Sequence, residues 1–201
     1  RMSLGQALDD IGYSGDLSCG AVTPSWFLEI HIEQGPVLEA ENITLGAIEG
    51  VQGIYWTGIT IKGQANHAGT TPMSLRKDAG YIAARLAVEA RKIASEIDGQ
   101  VATVGRVDLK PNLINVVAGE AYLTVDLRNA NETSLRVAQQ RLEDVIAAIA
   151  HEEGAEIDTE ALVRFAPVEF DPAMVDIIEQ EARRGGFSIK RMVSGAGHDA
   201  Q

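Results

Sequence analysis

Three histidines in this chain stand where an imidazole can do chemistry. His31 lies in "EIHIEQGP", His67 in "QANHAGTTPM" and His198 in "GAGHDA", each beside acidic, amide or glycine residues. An imidazole ligates a divalent metal through a ring nitrogen, or donates its ring proton to a developing negative charge. His31 closes an apolar run. His67 precedes Gly69, Thr70, Thr71 and Pro72, a turn of residues that pack almost nothing, and Asp199 stands where it can orient the ring of His198. Spacing alone fixes no metal site, because neither HExxH nor a paired CxxC is present. Each residue also has an ordinary reading. His31 is then a hydrogen-bonded strand end, His67 a solvated turn and His198 part of a glycine loop. Arg128 is a strand arginine paired with Asp126 or Glu120, Asn115 a turn amide and His151 plain surface.

The elements that must position these residues follow from periodicity. Residues 1–23 read as loop with a short helix near "SLGQALDDIG". "WFLEIHIEQG" (26–35) predicts a strand broken by Gly35-Pro36. Thr57, Ile59 and Ile61 alternate with Gly58, Thr60 and Lys62, a half-buried strand over 57–62. Ala79, Ile82, Ala83, Leu86, Ala90, Ile93, Ala94 and Ile97 recur at helical spacing. Strands are expected over 100–109 and 113–128, joined at "KPN". In the second, Ala121, Leu123, Val125 and Leu127 share one face. Asn131 caps a helix with the stripe Leu135, Ala138, Leu142, Val145, Ile146 and Ile149, ending before Gly154, and 155–165 is the last strand. This β-α-β-β-α-β order folds as a ferredoxin-like antiparallel sheet with both helices on one face. Asp171-Pro172 then opens another helix, closed by Gly185-Gly186. The layout is that of a domain inserted between two parts of another, with a histidine in each flank.

Composition sets the outer bounds. The chain has 201 residues, 45% of them hydrophobic, and no apolar run near the ~20 residues a membrane helix needs. A net charge of −12 without a basic block argues against nucleic acid, and an anionic substrate would need a local positive pocket. The single Cys19 excludes an internal disulfide and fits a cytoplasmic setting. The chain opens at Arg1 without an initiator Met or targeting segment and stops directly after "GAGHDAQ", so a piece of a longer protein is expected.

Four stretches, "HIEQGPVLE", "GQANHAGTTPM", "PNLINVVAGEAYLTVDLRN" and "SGAGHDA", occur in one order. Together they closely resemble the metal-dependent amidohydrolases comprising N-carbamoyl-L-amino acid hydrolases, allantoate amidohydrolases and β-ureidopropionases. These are relatives of the aminoacylases and dinuclear zinc exopeptidases. The resemblance implies a mixed α/β (α+β) protein: a ferredoxin-like lid and dimerisation domain (47–165) inserted in a partial zinc-exopeptidase-like catalytic domain (1–46 and 166–201). It implies that His31 and His198 each ligate one of two divalent ions (Zn, Mn, Co or Ni). Two such ions about 3.5–4 Å apart share and activate a water. It implies further that His67 reaches the neighbouring subunit's active site to stabilise the oxyanion. Asn115 and Arg128 grip the substrate carboxylate, the planar Arg128 fork taking it bidentately, and Gln34 contacts the ureido group. The family's His-x-Asp motif, bridging aspartate and Glu-Glu pair, which includes the general base, lie upstream of these motifs and are absent here. The chain alone is therefore expected to be inactive and to bind metal weakly if at all.

The expected substrate is a small ureido-carboxylate, and the expected assembly a homodimer through the lid. "GIYW" (53–56) brings apolar and aromatic groups near the lid's first strand, which favours N-carbamoyl-L-amino acids. Allantoate hydrolysis is the alternative. A non-catalytic dimerisation module is the alternative of another class.

Overall fold

The computed structural model describes residues 2–18 and 20–201; Cys19, on which the expectation of a reducing compartment rests, lies outside them. The chain divides into two compact units, one running to His31 and joined by Ala200, the other Ile32–Asp199 with Gln201.

In the first unit, Ser3 and Gln6 form a capping box for α1 (Leu4–Asp10). The Ser3 hydroxyl accepts from the Gln6 amide at 3.2 Å and the Gln6 side chain accepts from the Ser3 amide at 3.0 Å. The strand expected over 26–35 does not form. A strand exists through its hydrogen-bonded neighbour, and among the described residues none pairs with this segment. Trp26, Phe27, Leu28 and Ile30 are exposed. The Ala200 amide donates to the Glu29 carboxylate at 3.1 Å.

The second unit runs α2 (Val37–Glu41), β1 (Leu45–Val51), β2 (Gly53–Lys62), β3 (Asn66–His67), a 3₁₀ turn (Met73–Leu75), α3 (Ala79–Glu96), β4 (Val101–Lys110), β5 (Val116–Val117), β6 (Glu120–Asn129), α4 (Glu132–Glu153), β7 (Glu156–Phe165), β8 (Val168–Glu169), α5 (Pro172–Arg184) and β9 (Ile189–Ser194). Gly35-Pro36 leads into α2, whose first amides, Val37 and Leu38, donate to the Glu33 carboxylate at 2.7 and 3.0 Å.

The expected β-α-β-β-α-β unit is present as β2-α3-β4-β6-α4-β7, an antiparallel sheet ordered β4-β6-β2-β7. Alternation sends Ile59 and Ile61 of β2 and Leu123, Val125 and Leu127 of β6 into one core with Leu86 of α3 and Leu142 of α4. Each such buried side chain contributes roughly 1.5–3 kcal/mol. Asn131 caps α4 by accepting from the Ser134 amide at 2.9 Å, and Gly154 ends it with a left-handed φ of 58°. A smaller sheet, β8-β1-β9, packs α5 through Ala47, Val175 and Ile189.

Two boundaries differ from the expected ones, each at a close approach. β2 starts at Gly53 rather than 57. A side chain at Gly53 would meet Pro167 and Leu135 at 2.6 and 2.8 Å, so the strand is pinned early. The strand expected over 113–128 splits into β5 and β6 around Gly119, where a Cβ would sit 2.8 Å from the Ala65 nitrogen. Gly63 donates to the Gly119 carbonyl at 2.9 Å there, which closes the end of the sheet. Among the described residues, no helix is long and apolar enough to cross a membrane.

Thr57 is buried, and among the described residues its hydroxyl has no hydrogen-bond partner. Thr57→Val should raise stability by about 1 kcal/mol in denaturant titration, since it removes an unsatisfied polar atom without a cavity; a loss of stability would contradict this. Glu132 accepts from Arg164 at 2.6 Å, a bond that, with the nearby Arg136 charge, holds its carboxyl below the usual range. A depressed carboxylate stabilises above its unfolded-state pKa and loses that contribution as pH falls through the folded value, below about pH 4. Glu132→Gln should therefore cost stability at pH 7 and converge on wild type in acid melts.

Candidate functional site

The short ladder of β3 and β5 brings two of the candidates together. His67 faces Val116, and the Ala68 amide donates to the Asn115 carbonyl at 2.9 Å. Gly69 and Thr70 donate their amides to Nδ1 of His67 at 3.0 and 3.3 Å, and the Thr71 hydroxyl donates to the His67 carbonyl at 2.8 Å. A nitrogen that accepts two N–H groups carries no proton, so the neutral ring holds its hydrogen on Nε2. The exposed imidazole is thus built as a donor. A Cβ at Gly69 would press on the ring at 3.3 Å, which is why the turn uses so small a residue.

Arg76 braces this turn from beneath. Its Nε donates to the Thr71 carbonyl at 3.1 Å and its Nη2 to the Ala68 carbonyl at 2.6 Å. Sequence reasoning passed over Arg76; its signal is a place at the close of the turn, just before Asp78 caps α3. Lys62 is raised above the usual lysine range by hydrogen bonds to Glu156 and Asp158.

Arg128 stands at the other end of β6. Eight residues separate it from Glu120, where β5 hands over to β6, a run of about 26 Å at strand rise. Its Nε donates to both oxygens of Asp126 at 3.0 and 3.1 Å, its Nη2 to Asp126 at 2.8 Å and its Nη1 to the Gly195 carbonyl at 2.6 Å. The Trp56 ring centroid is 5.9 Å from its Cζ. Of the "GIYW" stretch, Tyr55 turns into the core, while Ile54 and Trp56, the register partners of Arg128 and Asp126, share their face. Asn115 and Arg128 therefore do not meet within one chain.

The loop carrying His198 abuts Arg128 through that Gly195 carbonyl. Nε2 of His198 lies 2.6 Å from the Ser194 hydroxyl, and the His198 amide donates to the Gln201 side chain at 2.9 Å. His31 is exposed and belongs to the first unit. Gln34 is exposed in the second, with a left-handed φ of 54°.

Comparison with known proteins agrees with this architecture. The peptidase dimerisation domain family matches residues 50–154. The chain belongs to that family. The matched span of this peptidase dimerisation domain covers β2 through α4. Over 199 residues the chain is 39% identical to an N-carbamoyl-L-amino-acid amidohydrolase of Rhizobium meliloti, covering 98% of this chain and 48% of that protein. It is 36% identical over 176 residues to the allantoate amidohydrolase of Escherichia coli (strain K12), covering 87% and 43%. The crystal structure of a hydantoinase/carbamoylase family amidase from Burkholderia multivorans superposes with a TM-score of 0.91 at 41% identity, over 97% of this chain and 48% of that one. The chain spans about half the length of these relatives.

Nitrogen-15 NMR at pH 8 should show an unprotonated Nδ1 and a protonated Nε2 on His67, and the reverse tautomer would refute the donor assignment.

Proposed function

We propose that this chain is the lid, with flanking parts of the catalytic domain, of a metal-dependent amidohydrolase that cleaves the ureido C–N bond of N-carbamoyl-L-amino acids. In this reading 47–165 is the lid and dimerisation domain, and 1–46 and 166–201 belong to the catalytic domain. The compartment is the cytoplasm. The likeness to the Rhizobium meliloti enzyme over 98% of the chain supports the reaction class. The observation that carries the site reading is the division of its polar groups. His67 and Asn115 lie at one end of the sheet, and Arg128 at the other, beside the His198 loop. A division of about 26 Å fits a homodimer in which each site takes Arg128 from one subunit and His67 with Asn115 from its partner.

Dimerisation through β4 is the better-supported edge. Its Val101 and Val107 are exposed, as is Val88 on the adjoining α3, whereas the β7 edge carries Glu156, Asp158 and Glu160. Like charges there oppose self-pairing, and apolar edges favour it.

His31 and His198 are the proposed metal ligands. Of the divalent ions expected (zinc, manganese, cobalt or nickel), imidazole suits zinc and nickel best, and a ligating histidine pairs its other ring nitrogen with a hydrogen-bonding partner, as Ser194 does for His198. Two bound divalent ions would supply an activated water and polarise the ureido carbonyl. The chain's own residues do the rest. Arg128 holds the substrate carboxylate, Asn115 adds an amide contact and Gln34 contacts the ureido group. His67 donates its Nε2 hydrogen to the oxygen on which charge develops. Beside Arg128, Ile54 and Trp56 form an apolar wall suited to an amino-acid side chain, which favours carbamoyl amino acids over allantoate.

In the complete protein, His67→Ala should lower turnover of an N-carbamoyl-L-amino acid at least about a hundredfold with metal content unchanged, the usual cost of one oxyanion donor. Near-normal turnover would remove His67 from the chemistry. Absence of hydrolysis on carbamoyl amino acids and allantoate alike, with dimerisation intact, would favour a purely structural dimerisation module.

A further inference from the structure

Asp126 is not among the groups assigned to substrate or metal, yet it makes more bonds to Arg128 than any other residue does. The two stand two residues apart on β6 and so project from the same face. Both oxygens of Asp126 are engaged: Oδ1 accepts from Nε at 3.0 Å, and Oδ2 from Nε and Nη2 at 3.1 and 2.8 Å. This occupies the inner edge of the guanidinium fork. The Gly195 carbonyl takes one hydrogen of Nη1 at 2.6 Å, and the Trp56 ring flanks the group with its centroid 5.9 Å from Cζ. A guanidinium has five N–H groups. Among the described residues these bonds engage one on each nitrogen and leave one on each terminal nitrogen, the number a bidentate carboxylate takes. Asp126 and Arg128 are each about three-quarters buried, with side-chain exposures of 27% and 25%, so the pair is no loose surface contact.

We propose that Asp126 is the positioning residue that fixes the plane of Arg128 and turns its outer N–H pair to the substrate carboxylate. The role rests on the reading of Arg128 as the carboxylate clamp. A clamp held by a carboxylate, a carbonyl and a ring meets its ligand already aligned, and little freedom is lost on binding. Asparagine cannot replace Asp126. It keeps the size, but its NH₂ group faces a second N–H donor where an oxygen accepted before.

The test uses the complete, metal-loaded protein and two substrates, an N-carbamoyl-L-amino acid and its carboxamide, in which the carboxylate is replaced by a neutral amide. Asp126→Asn should raise KM for the carboxylate substrate about tenfold or more, with the loss in KM rather than kcat. The preference for carboxylate over carboxamide, as a ratio of kcat/KM values, should fall by a similar factor. If Asp126→Asn does not fold, Asp126→Glu, which keeps the charge and displaces it, should lower the same ratio. Equal losses on both substrates would make Asp126 merely structural and overturn the role. So would an unchanged KM while Arg128→Lys raises it. If Arg128→Lys itself leaves KM unchanged, the clamp reading fails, and the role of Asp126 falls with it.

Discussion

Strand rise sets how far apart the polar groups of this chain lie. β6 is a ten-residue strand between two others, held in continuous register with β2 from Glu120 to Asn129. Such a strand neither shortens nor bends to bring its ends together, because every ladder bond would have to break. Asn115, entering β5 at one end, and Arg128, near the other, are therefore kept apart by the same hydrogen bonds that make the core. In the proposed reading, the sheet that builds the lid thereby divides the site, and a second subunit completes it.

The two ends are finished in different ways. At the His67 end the backbone closes through glycines: Gly63 and Gly119 each pass where a side chain would collide with backbone, at 2.3 Å from the Lys77 carbonyl and 2.8 Å from the Ala65 nitrogen. The result is a tight, low-bulk turn in which amides hold the imidazole and Arg76 holds the carbonyls beneath it. At the Arg128 end the finish is ionic and aromatic, with Asp126 and Trp56 around the guanidinium and the Gly195 carbonyl joining it to the loop of His198. One end presents a ring N–H and the other a guanidinium, which in the proposed reading meet the carbonyl and the carboxylate of one substrate.

Much of the fold was legible because its signals are local. The stripe from Ala79 to Ile93 identifies α3, the cap Asn131 and its stripe identify α4 without reference to anything distant, and the alternation of Ala121 to Leu127 identifies the inner face of β6. The failures share a cause of the opposite kind. Residues 26–35 look like a strand by composition, but strand status is conferred by a neighbour. β1 and β9 escaped notice because "LGAIEGV" carries two glycines and "IKRMVS" two cations. They become strands by pairing in parallel with each other, although 45–51 and 189–194 lie far apart in the sequence. Gly50 shows why glycine is needed there, since a side chain would meet the Val168 carbonyl at 2.3 Å. In the site, Asp126 was visible as a partner for Arg128. The amides on His67 and the Gly195 carbonyl were not, because backbone groups carry no residue signature.

Whether one site draws its polar groups from two chains is tested by mixing inactive homodimers of His67→Ala and Arg128→Ala under conditions of subunit exchange. A mixed dimer then holds one site with both residues intact and one with both replaced. Random exchange should restore about a quarter of wild-type activity, since half the dimers are mixed and each has one working site of two. If His67 and Arg128 served the same site from the same chain, no mixed dimer would contain an intact site, and activity that stays at the level of the separate variants would contradict the account.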